Sequence, residues 1–171
     1  MRRIRYGVAM SLDGFIAGPN GEADWIGSNP EIDFAAIWAQ FDTGLMGRRT
    51  YEAALQRLGE AAFDGITAIV FSRTQKQSDF PKATIVPELT VDWVRTLKAQ
   101  DGKDIWLFGG STLFRSFLDL GCVDTVETTV IPVLLGAGVP LLPPPYTPAR
   151  LKLLSHKAYR SGSLTLTYEV L

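Results

Sequence analysis

The chain has 171 residues, with 17 lysines and arginines against 18 aspartates and glutamates, a formal net charge of -1. So even a balance leaves no broad basic face for nucleic acid or an anionic membrane, and any anionic ligand must be held by local groups. Cys122 is the only cysteine and His156 the only histidine, which excludes an internal disulfide and a structural zinc set. A serine–histidine–aspartate triad would have to use His156, which lies in an alternating, strand-like stretch.

Ile4, Tyr6, Val8 and Met10 alternate with Arg3, Arg5, Gly7 and Ala9, the period of a strand whose second face shrinks towards its end. Small residues there let a flat ligand lie close to the backbone. Residues 11 to 25 read as a loop punctuated by Gly14, Gly18 and Pro19-Asn20-Gly21, with Ile16 and Trp25 as apolar anchors. Asn29-Pro30-Glu31 has the form of a helix start, followed by Phe34, Ile37, Trp38 and Phe41 at the spacing of a buried stripe. Asp33 can be read in two ways. Inside that helix it projects into a pocket beside the first strand as a half-buried proton donor. Alternatively it is itself the helix cap.

A short strand at 43–47 runs into Arg48-Arg49-Thr50 and a second helix with Tyr51, Ala54, Leu55 and Leu58 inward. Two arginines at a helix start are either solvated surface groups or donors to a bound anion, and their opposition to the helix dipole weighs for the anion. The apolar run Ala68 to Phe71 ends in Ser72-Arg73-Thr74. A strand at 83–86 precedes a helix near 90–99, with Val91, Val94 and Leu97 inward.

The run Ile105 to Phe108 then stops at Gly109-Gly110. Ser111-Thr112 caps a helix burying Leu113, Phe114, Phe117 and Leu118. Two glycines between a strand and a helix form either a phosphate-binding N-terminus or a turn that needs positive φ. Alternation of strands and helices up to this point implies parallel strands with ligands at their carboxyl ends.

After residue 122 the pattern changes. Val123 to Ile131 is a strand with Glu127 and Thr129 on one face. Leu151–Tyr159 and Leu164–Leu171 form a terminal antiparallel hairpin. From Thr128 to Ala149 no residue is charged, yet six prolines exclude a regular membrane helix there, and no secretory signal fits the N-terminus. The expectation is a single cytoplasmic domain over 1–171, with no membrane partner. The apolar, proline-rich stretch from Val130 to Tyr146 suits a homodimer contact.

Five segments then come together in register: Ser-Leu-Asp-Gly-Phe-Ile-Ala (11–17), Leu-Met-Gly-Arg-Arg-Thr-Tyr-Glu (45–52), Val-Phe-Ser-Arg-Thr (70–74), Ile-Trp-Leu-Phe-Gly-Gly-Ser-Thr-Leu (105–113) and Ile-Pro-Val-Leu-Leu-Gly-Ala-Gly-Val-Pro-Leu (131–141). In this order they resemble the dihydrofolate reductase superfamily, most closely its branch related to the reductase domain of bacterial riboflavin biosynthesis. The resemblance implies an α/β fold with three layers: a twisted, mostly parallel eight-stranded sheet, a C-terminal antiparallel hairpin and flanking helices. It also implies NADPH as cofactor, and as substrate a small pterin-like or aminopyrimidine-like heterocycle.

By the same resemblance, Gly47, Arg48, Arg49 and Thr50 hold the adenosine phosphates. Ser72, Arg73 and Thr74 flank the adenine and 2′-phosphate. Gly109, Gly110, Ser111 and Thr112 take the pyrophosphate, bordered by Phe108 and Leu113 and joined by a cis peptide. Ala9 and Ile16 border the nicotinamide. Asp33 is the nearest match to the superfamily's catalytic carboxylate, although its spacing to Gly47 is about two residues short. Trp25, Glu127 and Thr129 are the candidate substrate contacts. A dinucleotide-binding module without turnover, used for sensing or assembly, is the competing reading.

Overall fold

The structure is a computed structural model that describes residues 1–171, the side chain of Glu60 aside. In chain order the elements are β1 (Ile4–Ser11), β2 (Phe15–Ala17), α1 (Phe34–Trp38), β3 (Phe41–Gly47), α2 (Arg48–Leu58), β4 (Thr67–Phe71), β5 (Ala83–Val86), α3 (Val91–Ala99), β6 (Asp104–Gly109), α4 (Ser111–Asp119), β7 (Thr125–Ile131), β8 (Val139–Pro140), β9 (Leu151–Ala158) and β10 (Leu164–Val170). Eight strands form one sheet in the order β5-β4-β3-β6-β1-β7-β10-β9. The first six are parallel; β10 pairs antiparallel with β7 and with β9. The mixed sheet is the one the sequence pattern predicts.

The two faces of the sheet are covered differently. On the first, Ile4, Tyr6, Leu45, Ile105, Leu107 and Val126 pack with Val94 and Leu97 of α3 and with Phe114 and Phe117 of α4, all buried. On the second, Met46, Ala68, Val70 and Ala83 pack under Tyr51 of α2. The second face of β1 carries Arg5, Gly7 and Ala9, and β7 places Glu127 and Thr129 beside the last two. That part of the face is not covered by α2, and it becomes the floor of the site described below.

The apolar stripes expected of the helices hold in their centres and fail at their ends. Leu58 of α2 is 58% exposed and Val91, first residue of α3, is 40% exposed. The larger departure is α1. It runs for one and a half turns only, Phe34 is 56% exposed, and Phe41 belongs to β3. Asn29 does accept a hydrogen bond from Glu31 N at 3.0 Å, but this closes an isolated turn and starts no helix. A two-stranded sheet also forms where two loops were expected: β2 pairs antiparallel with β8 inside the proline-rich segment.

Candidate active site

Parallel pairing sets Gly47 opposite Phe71 and Met46 opposite Gly109. The turns leaving β4, β3 and β6 therefore stand side by side on the carboxyl edge of the sheet. A Cβ placed on Gly110 would lie 3.4 Å from Thr50 Oγ1, so the first turn of α2 meets the entry to α4. Gly47 and Gly110 are the caps of these helices. Neither helix start has a side-chain cap hydrogen bond, and neither first turn holds an acid. Ser111, expected to cap α4, is instead its first residue and is buried. Two adjacent helices thus point first-turn N–H groups and dipole ends, uncompensated by side chains, at one place. This arrangement suits a phosphate chain.

The Gly109–Gly110 peptide is cis, and Gly109 has a φ of 105°, open to glycine and strained for residues with a Cβ. Beside this junction, Ser72 Oγ accepts from Thr74 N at 3.3 Å and Gln75 N at 3.1 Å, closing a turn that leaves Arg73 and Thr74 exposed. Arg49 is exposed and Arg48 lies 3.2 Å from Glu52, one helical turn on. Phe108 and Leu113 have apolar partners of their own. Phe108 packs edge-on against Trp106 and Phe63, while Leu113 joins the core under α4.

At the end of β1 a polar clasp forms that the sequence reading passed over. Ser11 is fully buried; its hydroxyl donates to Asp13 Oδ1 at 2.6 Å and accepts from Phe15 N at 2.9 Å. The Asp13 carboxylate also accepts from Leu135 N at 3.1 Å and from Gly136 N at 2.7 Å. These donors, the Ser11 hydroxyl first, hold the Asp13 carboxyl down at about 2. Leu12 N donates to Val133 O and Leu141 N to Gly14 O, each at 2.9 Å. The clasp thus fixes the loop that carries Ile16 to the segment after β7. The Ser-x-Asp-Gly spacing is a turn signature that could have announced it.

The candidate substrate contacts separate into three groups. Thr129 Oγ1 lies 2.9 Å from Thr165 Oγ1, which reaches Tyr159 OH at 3.4 Å, a chain of hydroxyls along the floor beside Ala9. Glu127 is engaged by the Arg5 guanidinium through Nε at 2.6 Å and a second nitrogen at 2.9 Å, and by the Thr125 hydroxyl at 3.0 Å. Arg5 also donates to Gln40 at 2.8 Å and to Asp104 at 3.3 Å, and stands 4.7 Å above the Phe41 ring. The Glu127 hydrogen bond, working against burial, raises the Arg5 pKa. Trp25 lies in a one-turn segment, its indole N–H donating to Glu22 O at 3.0 Å.

Asp33 is placed differently from the expectation. It is the N-cap of α1, accepts from Ala36 N at 2.9 Å, and is exposed. The helix does not begin at Asn29, so Asp33 sits at its edge and lacks the half-buried setting expected of a proton donor. The capping alternative is the one its geometry fits.

Two surface hollows, one lined by Met1, Arg2 and residues 98–104 and the other by Leu118, Asp119, Gly121 and residues 147–150 and 170–171, lie at the opposite end of the sheet from these junctions. Among the described residues no helix is long and apolar enough to cross a membrane.

Comparison with known proteins agrees with this architecture. The family model described as RibD C-terminal domain matches residues 2–165. The uncharacterized protein YyaP of Bacillus subtilis (strain 168) is 34% identical over 178 residues, covering 98% of this chain and 94% of its own. Among solved structures, a Shewanella sp. PV-4 protein assigned to riboflavin biosynthesis superimposes with a TM-score of 0.86 at 26% identity, over 99% of each chain. The dihydrofolate reductase of Enterococcus faecalis, solved as a complex with NADP(H), gives a TM-score of 0.70 at 16% identity over 98% of this chain and 96% of its own. The last likeness concerns the fold alone. The chain belongs to the RibD C-terminal domain family, with the dihydrofolate reductase-like, reductase-type fold of that branch.

Proposed function

We propose that the protein is an NADPH-dependent reductase of a small heterocyclic substrate, pterin-like or aminopyrimidine-like. The observation that carries this is the contiguity of three strand-end junctions, 47–50, 72–74 and 109–112, beside a first strand whose outer face ends in Gly7 and Ala9. Their residues fit a dinucleotide phosphate. Two uncapped helix starts converge there, and Arg49 and Arg73 are exposed beside them. In this reading the first turn of α2 and residues 109–112 hold the phosphates, and Ser72, Arg73 and Thr74 surround the 2′-phosphate. Ala9 and Ile16 would border the nicotinamide, which when bound in its reduced form would supply a hydride to the substrate.

The substrate lies on the floor made by Ala9, Thr129 and Thr165, edged by the Trp106 indole, which covers Gly7 and donates to its carbonyl at 3.3 Å. The hydroxyl chain through Tyr159 is placed to orient a ring nitrogen or carbonyl. Trp25 and the α1 segment close the outer side. A homodimer through the stretch from Val130 to Tyr146 completes the proposal. Leu134 is 70% and Tyr146 53% exposed there, while Leu141 and Leu142 turn inward against the core.

One observation favours the competing reading of a cofactor-binding module without turnover: the floor has no free buried carboxylate, since Asp33 is an exposed cap and Glu127 is tied to Arg5. Following NADPH absorbance in the presence of a panel of dihydropteridines and aminopyrimidines separates the two. Oxidation of NADPH coupled to reduction of one compound supports the reductase. Tight NADPH binding with no oxidation across the panel supports the binder.

A further inference from the structure

We infer that Tyr159 is the proton source of this site, and that its proton reaches the substrate through the hydroxyls of Thr165 and Thr129. The inference rests on the reading of the site as a reductase and concerns only how its substrate is protonated. One row of residues crosses the sheet on the floor face. Thr129 of β7 pairs with Ala9 of β1, Thr165 of β10 with Thr129, and Lys157 of β9 with Thr165. Directly paired residues share a face. The two threonine hydroxyls are 2.9 Å apart, and Thr165 donates to Tyr159 OH at 3.4 Å. Tyr159 opens the turn between β9 and β10. Because β10 runs antiparallel to β7, that turn stands at the carboxyl end of β7, on the edge that carries the three junctions. Tyr159 N donates to Ser163 O at 3.0 Å, which closes the turn. Asn29 Nδ2 donates to Ser161 Oγ at 3.1 Å and Arg160 N to Glu31 Oε2 at 2.8 Å, which anchor it from outside.

Reduction of a C=N bond needs a proton on nitrogen as well as a hydride on carbon. The carboxylates that could give it are engaged. Asp33 caps α1, Glu127 is gripped by Arg5, and Asp13 is spent on the clasp with Ser11, Leu135 and Gly136. Among the described residues, Tyr159 is the one titratable group joined to the floor threonines by hydrogen bonds. It is only half-buried, so water can restore its proton. The exposed Lys157 ammonium stands 4.8 Å over its ring, where it offsets the negative charge left on a phenolate. Arg160 and Glu31, at the same turn, are 3.9 Å apart and balance each other.

In the transfer the substrate nitrogen takes the Thr129 hydroxyl proton as its carbon takes the hydride, which the reduced nicotinamide supplies when bound. The Thr129 O–H bond is remade with the Thr165 proton, and that of Thr165 with the Tyr159 proton. The phenolate that remains takes a proton from water. Each hydroxyl is both donor and acceptor and rotates about its C–O bond, so the resting direction of the Thr165 bond reverses without any backbone movement. A positioned acid contributes about 100- to 10,000-fold to such a step. A chain open to water at its outer end keeps part of that when it is cut, so a loss of about 10- to 100-fold is expected.

The test uses 7,8-dihydropterin and 5-amino-6-ribosylaminouracil, one probe from each substrate class, with NADPH. Tyr159→Phe and Thr165→Val should each lower kcat by about 10- to 100-fold, with NADP+ affinity and Tm unchanged. Thr165→Ser keeps the hydroxyl and should stay within about threefold of the unmutated protein, and the double variant Tyr159→Phe, Thr165→Val should be no slower than the slower single one, because both cut the same path. A readout independent of turnover is the carbon-13 NMR signal of Tyr159 Cζ, assigned by its loss in Tyr159→Phe. In the NADP+ complex that signal should shift when the probe is added, and should stay still in Thr165→Val. Full kcat in either single variant, losses that multiply in the double variant, or a Tyr159 signal blind to the probe in the unmutated protein overturns the inference. So does a loss of Tm or of NADP+ affinity that accounts for the loss of kcat, since the chain would then be structural. No oxidation of NADPH with either probe removes the reductase reading itself and this inference with it, before any variant is compared.

Discussion

The pair formed by Arg5 and Glu127 offers a measurement that separates a positioning carboxylate from one that handles substrate. Their side chains are 11% and 21% exposed and are joined by two hydrogen bonds of 2.6 and 2.9 Å, more enclosed than a surface pair and wetter than a core pair. Exposed pairs are worth about 0.2–1 kcal/mol, and breaking a buried one costs about 3–5 kcal/mol. Glu127→Gln is therefore expected to lower stability by about 1.5–3 kcal/mol, roughly 3–12 °C in Tm for a chain of this length. Arg5→Met should cost a similar amount, and the double variant clearly less than the sum, with a coupling of about 1–2 kcal/mol. Thermal and urea unfolding of the four proteins measures this directly, and NADPH titration of the same samples checks that the cofactor half is intact. Additivity within about 0.5 kcal/mol would refute the reasoning, because it would mean that the two groups do not stabilise one another. An unchanged Tm in Glu127→Gln together with lost turnover would return Glu127 to the substrate.

Arg73→Ala is expected to weaken NADPH binding by roughly 10- to 100-fold, the worth of a charge-assisted hydrogen bond, while leaving NADH binding and Tm unchanged; fluorescence titration with both cofactors checks it. Asp33→Asn keeps a capping oxygen and should leave turnover and its pH dependence unaltered, whereas Asp33→Ala should cost about 1 kcal/mol of stability through the lost cap. Loss of turnover in Asp33→Asn would restore the catalytic reading. Asp13 is held well below the ordinary aspartate range, so its contribution to the clasp is complete at neutral pH and is lost as the pH falls through about 2. Hydrogen exchange at Leu135 and Gly136 should therefore accelerate in Asp13→Asn at neutral pH, and protection equal to that of the unmutated protein would count against the clasp. Sedimentation at tens of micromolar tests the homodimer, a monomer arguing that residues 130–146 serve only their own sheet.

Most of the sheet was legible because its strands are announced by period. Ile4 and Tyr6 alternate with Arg5 and Gly7, and the runs ending at Phe71 and Phe108 are unbroken. The three junctions were legible because glycine, arginine and hydroxyl residues stop those runs abruptly. Their adjacency was not, since it depends on β3 lying between β4 and β6, a long-range order no local pattern encodes. Phe34, Ile37, Trp38 and Phe41 misled because helical spacing can arise from residues that straddle a helix end and the next strand. Here that shifted the helix start from Asn29 to Asp33. Arg5 was taken only as the large end of a tapering face. Its partners Gln40, Asp104 and Glu127 come from three distant places in the chain, and nothing near Arg5 announces them.

On the proposed reading the three junctions form one NADPH site. Calorimetric titration of the unmutated protein with NADPH and with NADH tests it most directly. Expected is a single site that takes NADPH at least tenfold more tightly than NADH. Equal affinities, or no binding of either cofactor, would contradict the account.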